Sequence, residues 1–126
     1  MTVTIAGYTL AGLIAAGIIF IGARFLVAPH VAAAGYGVLP NLEQPSAGAY
    51  LSVKGVRDIA SGLSVIILMI AGTSQLVGWV ILAATIIPLA DAAIVLRHSG
   101  PKSIAGGVHG VTAVVMLITA VLLLMS

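Results

Sequence analysis

No cysteine occurs among the 126 residues. Disulfide frameworks, thiolate nucleophiles and iron–sulfur sites are thereby excluded. Charge is scarce too: five Lys/Arg and three Asp/Glu make up 6% of the chain, against about 25% in a soluble domain. Six aromatic residues, one of them tryptophan, are scattered without pattern. With so few basic groups beside them, nucleic-acid binding is not indicated. What remains is apolar, at 61% of residues and a mean hydropathy of +1.27. This is the composition of an integral membrane protein whose partner is the lipid bilayer, and the length allows one domain, residues 1–126. The first residues, Met1-Thr2-Val3-Thr4, carry no basic group. The first apolar run therefore reads as a retained span and not as a signal peptide.

Four apolar runs are long enough to cross a bilayer, at residues 3–27, 49–72, 75–97 and 103–125. Strand alternation is absent, so the expected fold is an all-α bundle of four transmembrane helices and not a membrane barrel. The second and third spans are joined by Thr73-Ser74, the third and fourth by a Gly-Pro stop, His98-Ser99-Gly100-Pro101-Lys102. The first and second are separated by a long stretch, residues 28–48. It holds Pro29, Pro40 and Pro45 and is not one continuous helix. It is also apolar enough to lie on the interface or to fold into the bundle mouth as a lid.

Antiparallel crossings place Arg24, Lys54, Arg57, Arg97 and Lys102 at a single membrane face. The positive-inside rule makes that face cytoplasmic and both termini external, in a bacterial cytoplasmic membrane. The acidic and imidazole groups fall at or below the same face.

The second span carries the strongest functional signal. Downstream of Asp58 its charge-free run lasts from Ile59 to Gly72, about 21 Å of helix, where a hydrocarbon core is about 30 Å thick. Spanning therefore draws Asp58, Arg57 and Lys54 toward the membrane, and ionisable groups there mark a functional site by default. Helical spacing sets Lys54, Asp58, Ser61 and Val65 on one stripe. Asp91 lies about 9 Å inside the third span and His109 about 9 Å inside the fourth. The expectation is a shared chamber of buried carboxylates. Asp58, Asp91, His109 and Arg57 are its catalytic candidates, and Arg24, Lys54, Arg97 and Tyr50 its substrate contacts. Pro88 is expected to bend the third span beside Asp91. Gly106, Gly107 and Gly110 beside His109 are expected to let helices approach or to leave room for a ligand.

Each group also has a plainer reading. Asp58 can serve as a structural ion pair with Lys54 or Arg97. Asp91 can be partly hydrated near the interface, and His109 a packing donor. The cations can serve topology alone. Tyr36, Tyr50 and Trp79 read as interfacial anchors. His30, His98 and Glu43 read as solvated. No zinc spacing, phosphate loop, nucleotide fingerprint or nucleophile elbow occurs, so no metal or cofactor is implied.

The stretches Ile21-Gly22-Ala23-Arg24-Phe25, Val53 through Gly62, Pro88-Leu89-Ala90-Asp91 with Leu96-Arg97-His98, and Gly107-Val108-His109-Gly110 together resemble a domain-of-unknown-function family. Its members are small four-helix membrane proteins of bacteria and fungi. The resemblance covers nearly the whole chain and implies the four-span architecture, with no assigned activity. Some fungal relatives are loosely linked to polyketide pathways in which epoxides are opened to cyclic ethers.

Three functions remain open at this point. The first is an enzyme acting by acid and base chemistry on a lipophilic small molecule, such as an epoxide opened by hydrolysis or cyclisation, with one carboxylate as base and the other as acid. Arg57 or Arg97 would bridge the carboxylates. The second is a proton-linked carrier, which at four helices requires a homodimer. The third is a structural accessory protein whose charges set packing.

Overall fold

The computed structural model describes residues 1–126, all helix and connecting turns without a strand. Helix α1 (Thr2–Val27) is followed by a short α2 (Pro29–Tyr36) and a long α3 (Pro45–Ala71). Then come α4 (Ser74–Ala84), α5 (Ile86–Arg97) and a single turn α6 (Lys102–Ile104). A π-helical stretch (Ala105–Gly110) leads into α7 (Val111–Leu124). Three stretches are long and apolar enough to cross a membrane: Thr2–Val27, Ser74–Arg97 and Lys102–Leu124. The outward faces of these stretches carry large apolar side chains such as Leu13, Phe20, Ile86 and Val121. Such surfaces belong in lipid, and the protein is a multi-pass helical membrane protein. Helix α3 is the longest, at 27 residues, but it is not among those three. Lys54, Arg57 and Asp58 make it more polar.

Helix α3 runs antiparallel along α1, and glycine brings the two together. A Cβ on Gly22 would lie 2.5 Å from the carbonyl oxygen of Gly55, and one on Gly55 would lie 2.6 Å from that of Gly22. Farther along, a Cβ on Gly62 would meet the Ala15 carbonyl at 2.7 Å. Such close backbone approach is open only to the smallest residues.

The connection between α1 and α3 differs from the expected 28–48 loop. Pro29 has no N–H and ends α1, yet it suits the first position of a new helix. The chain turns at Ala28 and continues as α2. Gly37 closes that helix in the left-handed region, φ 106°, where its N–H reaches the carbonyls of Ala33 and Ala34. Pro45 then starts α3 four residues earlier than the expected 49. Only Ala28 and residues 37–44 remain outside helix.

The third apolar run is interrupted as expected near Pro88. Proline removes the bond to the Ala84 carbonyl, and the helix breaks at Thr85 between α4 and α5. Thr85 is buried, and its hydroxyl donates to the Ile81 carbonyl at 2.9 Å. Thr73 caps α4, its Oγ1 accepting from the Leu76 N–H at 3.1 Å, a bond worth about 1 kcal/mol. The π-helical stretch was not expected. Gly106 and Gly107 have open space where side chains would stand, so they do not serve close helix packing there. Their backbone freedom suits the wider turn.

Two apolar clusters form the interior. One contains Ala11, Val77, Ile81, Met116, Ala120 and Leu123. The other, at the charged end, joins Phe25 and Leu51 to Ala32 and Ala33 of α2. Helix α2 therefore folds back beneath α1 and α3 and is part of the packing, not a free loop.

The close contact of α1 with α3 gives a stability test. Gly22→Ala and Gly55→Ala are expected to lower stability by about 1–3 kcal/mol through overpacking. Gly17→Ala meets nothing within 4 Å and is expected to leave stability unchanged or slightly raised. Thermal melting in detergent separates the two classes.

Candidate functional site

Between the two clusters lies a cavity of about 670 Å³. The expected stripe of α3 lines it in full, with Lys54, Asp58, Ser61 and Val65 on its wall. Asp91 and Pro88 come from α5, His109 from the π-helical stretch, and Arg24 from the end of α1. The four candidates Asp58, Asp91, His109 and Arg24 thus share one chamber. Away from them the wall is hydrocarbon: Leu10, Ile14, Ile18, Ile87, Val111 and Met116 among others.

The polar end is organised around Tyr36. Its hydroxyl donates to Asp91 Oδ1 at 2.8 Å, and its backbone carbonyl lies 2.8 Å from His109 Nε2. A carbonyl only accepts, so Nε2 carries the imidazole proton. The two rings also touch, with centroids 4.8 Å apart. Nδ1 of His109 then faces Asp91 Oδ2 at 3.9 Å, too far for a direct hydrogen bond. On the other side Lys54 Nζ bonds Asp58 Oδ2 at 2.9 Å. The same ammonium sits over the rings of Phe25, at 4.8 Å, and Tyr36, at 5.4 Å. Such cation–π contacts add to the ion pair in holding Lys54 inward.

Several expectations need correction. Arg57 and Arg97 are exposed and do not line the cavity, so neither bridges the carboxylates. Arg57 is one residue from Asp58, about 100° around the helix. Arg97 lies six residues past Asp91, about 240° around the helix. Tyr50 is exposed and lines a smaller neighbouring cleft of about 370 Å³ with Lys54 and His98. Asp58 and Asp91 were expected to be buried, and they are only partly so, with side chains 15% and 22% exposed. The cavity opens beside them. His109 is buried, at 8%. The pair of Asp58 with Lys54 is also the structural pairing that the spacing allowed. Ser61 lines the cavity, although its hydroxyl donates to the Arg57 carbonyl at 2.9 Å.

Tyr36 is the site residue that sequence reasoning missed, since it reads there as an anchor. The signals were the apolar character of residues 28–48 and Gly37 immediately after it, which ends the helix that aims the ring inward.

The phenol of Tyr36 is held above its ordinary value. Burial contributes most, followed by the hydrogen bond to Asp91 and by the negative charges of Asp91 and Asp58. In the unfolded chain the phenol loses its proton near pH 10, while the folded state keeps it. Stability is therefore expected to decline as pH rises past about 10, because the unfolded state then binds fewer protons. Tyr36→Phe is expected to remove that part of the decline. Melting temperatures of both proteins across pH 8–11 test it, and parallel curves would speak against it.

No curated protein and no solved structure matches the chain. A family model does, over residues 15–123. That interval holds every polar group of the cavity, from Arg24 through Tyr36, Asp58 and Asp91 to His109. The chain accordingly belongs to the family described as Domain of unknown function (DUF4267).

Proposed function

We propose that this protein is a membrane enzyme that opens an epoxide on a lipophilic molecule by acid and base catalysis. All four long helical runs, α3 included, cross the bilayer in this reading. The charged end faces the cytoplasm and both termini lie outside. The observation that carries the reading is the single cavity that joins Asp58, Asp91 and His109 to a hydrocarbon wall. A concave apolar pocket with a few convergent polar groups is the usual form of a small-molecule site.

The geometry suits a water molecule as nucleophile. His109 Nδ1 and Asp91 Oδ2, 3.9 Å apart, are both acceptors in the neutral-imidazole state. A water between them donates one hydrogen to each and turns its lone pairs to the cavity. Attack forms a bond from the water oxygen to an epoxide carbon, and the ring C–O bond breaks. The attacking water gives a proton to the Asp91–His109 pair. The ammonium of Lys54, oriented by Asp58, gives a proton to the departing ring oxygen. The product is a diol, and transfer of one proton from the base side back to Lys54 resets the site. An internal hydroxyl in place of water gives a cyclic ether by the same proton movements. Tyr36 positions Asp91 by donating to its other oxygen.

A carrier is less well supported. Beyond the cavity the interior is filled by Ala11, Val77, Ile81, Ala120 and Leu123, which favours a place of reaction over a passage.

The test is turnover of a long-chain epoxide by purified protein. Asp91→Asn and His109→Gln are expected to lower the rate by roughly 10²–10⁴-fold, and Asp58→Asn to lower it by misplacing Lys54. Wild-type rates in all three, or no turnover by the parent protein, remove the proposal. Unchanged rates with lowered melting would assign the charges to packing alone.

A further inference from the structure

Arg24 is the cavity's unmatched cation. Asp58 pairs with Lys54, and Asp91 accepts from Tyr36 with His109 Nδ1 3.9 Å away. The guanidinium of Arg24 lies instead 5.9 Å from the centroid of the Phe20 ring. Arg24 lines the cavity and forms no ion pair within the protein, so its five donors can meet a ligand at the cavity edge. Asp58 and Asp91 do not compete for it, because Lys54 holds the first at 2.9 Å and Tyr36 the second at 2.8 Å.

The cavity is also long. Its wall follows α1 from Leu10 to Arg24, about 21 Å of helix. Beyond Phe25 and Ala32, most of its apolar wall, including Leu10, Ile14, Ile18, Ile87 and Met116, lies away from the charged end. Two of its lining residues, Leu13 and Ile87, are 65% and 52% exposed. The wall is thus open sideways to the surface on which lipid chains lie.

We propose that the cavity binds an elongated amphiphile with one anionic head, the head on Arg24 and the hydrocarbon chain along α1. This rests on the reading of the cavity as a ligand site, and it does not require turnover. A guanidinium recognises a carboxylate or a phosphate through paired hydrogen bonds. The head therefore belongs either to a free long-chain acid or to an anionic lipid. The chain reaches the wall from within the bilayer, and the head comes to rest beside Lys54 and Asp91. On the enzymatic reading, the reacting carbons are then those nearest the anionic end.

The experiment uses the full chain in phosphatidylcholine vesicles and a palmitate bearing a diazirine along its chain. After photolysis, labelled residues are mapped by mass spectrometry. Labelling is expected on the α1 and α5 walls of the cavity. Unlabelled palmitate is expected to compete about tenfold better than hexadecanol, the gain of one charge-assisted contact. Arg24→Gln is expected to erase that preference and Arg24→Lys to restore most of it, which separates loss of charge from loss of fold. Phosphatidylglycerol serves as a second competitor. If it outcompetes palmitate, the anion is a lipid headgroup; if palmitate wins, it is a free acid; both support an anionic head on Arg24. Equal competition by palmitate and hexadecanol, or an unaltered preference in Arg24→Gln, overturns this inference and leaves the ligand site standing. Absence of label from the cavity overturns both.

Discussion

The polar end of the cavity depends on Tyr36. One residue of a short helix donates through its hydroxyl to α5 and accepts through its backbone from the π-helical stretch. Neither contact is local in sequence: Asp91 is 55 residues away and His109 is 73. Few polar contacts of that range exist in so apolar a chain, and these two converge on the same residue. They fix the distance between Asp91 and His109, and they set which imidazole nitrogen carries the proton. The position of α2 is itself determined by Pro29 and Gly37, which start and stop it. A sequence feature as simple as a proline and a glycine eight residues apart thus governs the chamber.

The remainder of the molecule supports this by contrast. The end away from the charges is filled by small and branched side chains that reach zero exposure, among them Ala11, Ala120 and Leu123. The cavity begins at the charged end and runs along α1 as far as Leu10, and every ionisable group at the charged end either lines it or is exposed. Glycine pairs such as Gly22 and Gly55 pull α1 and α3 into contact. The void consequently lies between the α1–α3 pair on one side and α5, the π-helical stretch and α7 on the other. Close packing and open volume lie side by side in one bundle, and a site for an apolar molecule needs both.

Much of this was legible in the residues. Period and composition placed the helices within a few positions, because long apolar runs admit no other structure in lipid. The stripe of Lys54, Asp58, Ser61 and Val65 was read from helical spacing alone, and all four line the cavity. Equal depth from the charged face was enough to bring Asp58, Asp91 and His109 into one chamber. The failures have a common physical origin. Arg57 and Arg97 lie about 100° and 240° around their helices from Asp58 and Asp91, and those turns carry both out of the chamber. Tyr36 lay in a segment without strong periodicity, so its direction depended on a fold-back that local patterns do not encode. The π-helical stretch is a matter of backbone hydrogen bonding at glycine, which no hydropathy pattern reports. Partial exposure of the carboxylates follows from where the void opens, and that is set by the packing of all the helices together.

The bond from His109 reaches the main chain of residue 36, not its phenol. Any amino acid at that position presents the same carbonyl. The strap formed by α2 can therefore stay fastened to His109 whatever side chain residue 36 carries, while the tie to Asp91 and the ring contacts with His109 and Lys54 depend on the tyrosine. Exchange of that one ring would change what Asp91 touches and leave the main-chain tie to His109, and the bundle around it, in place.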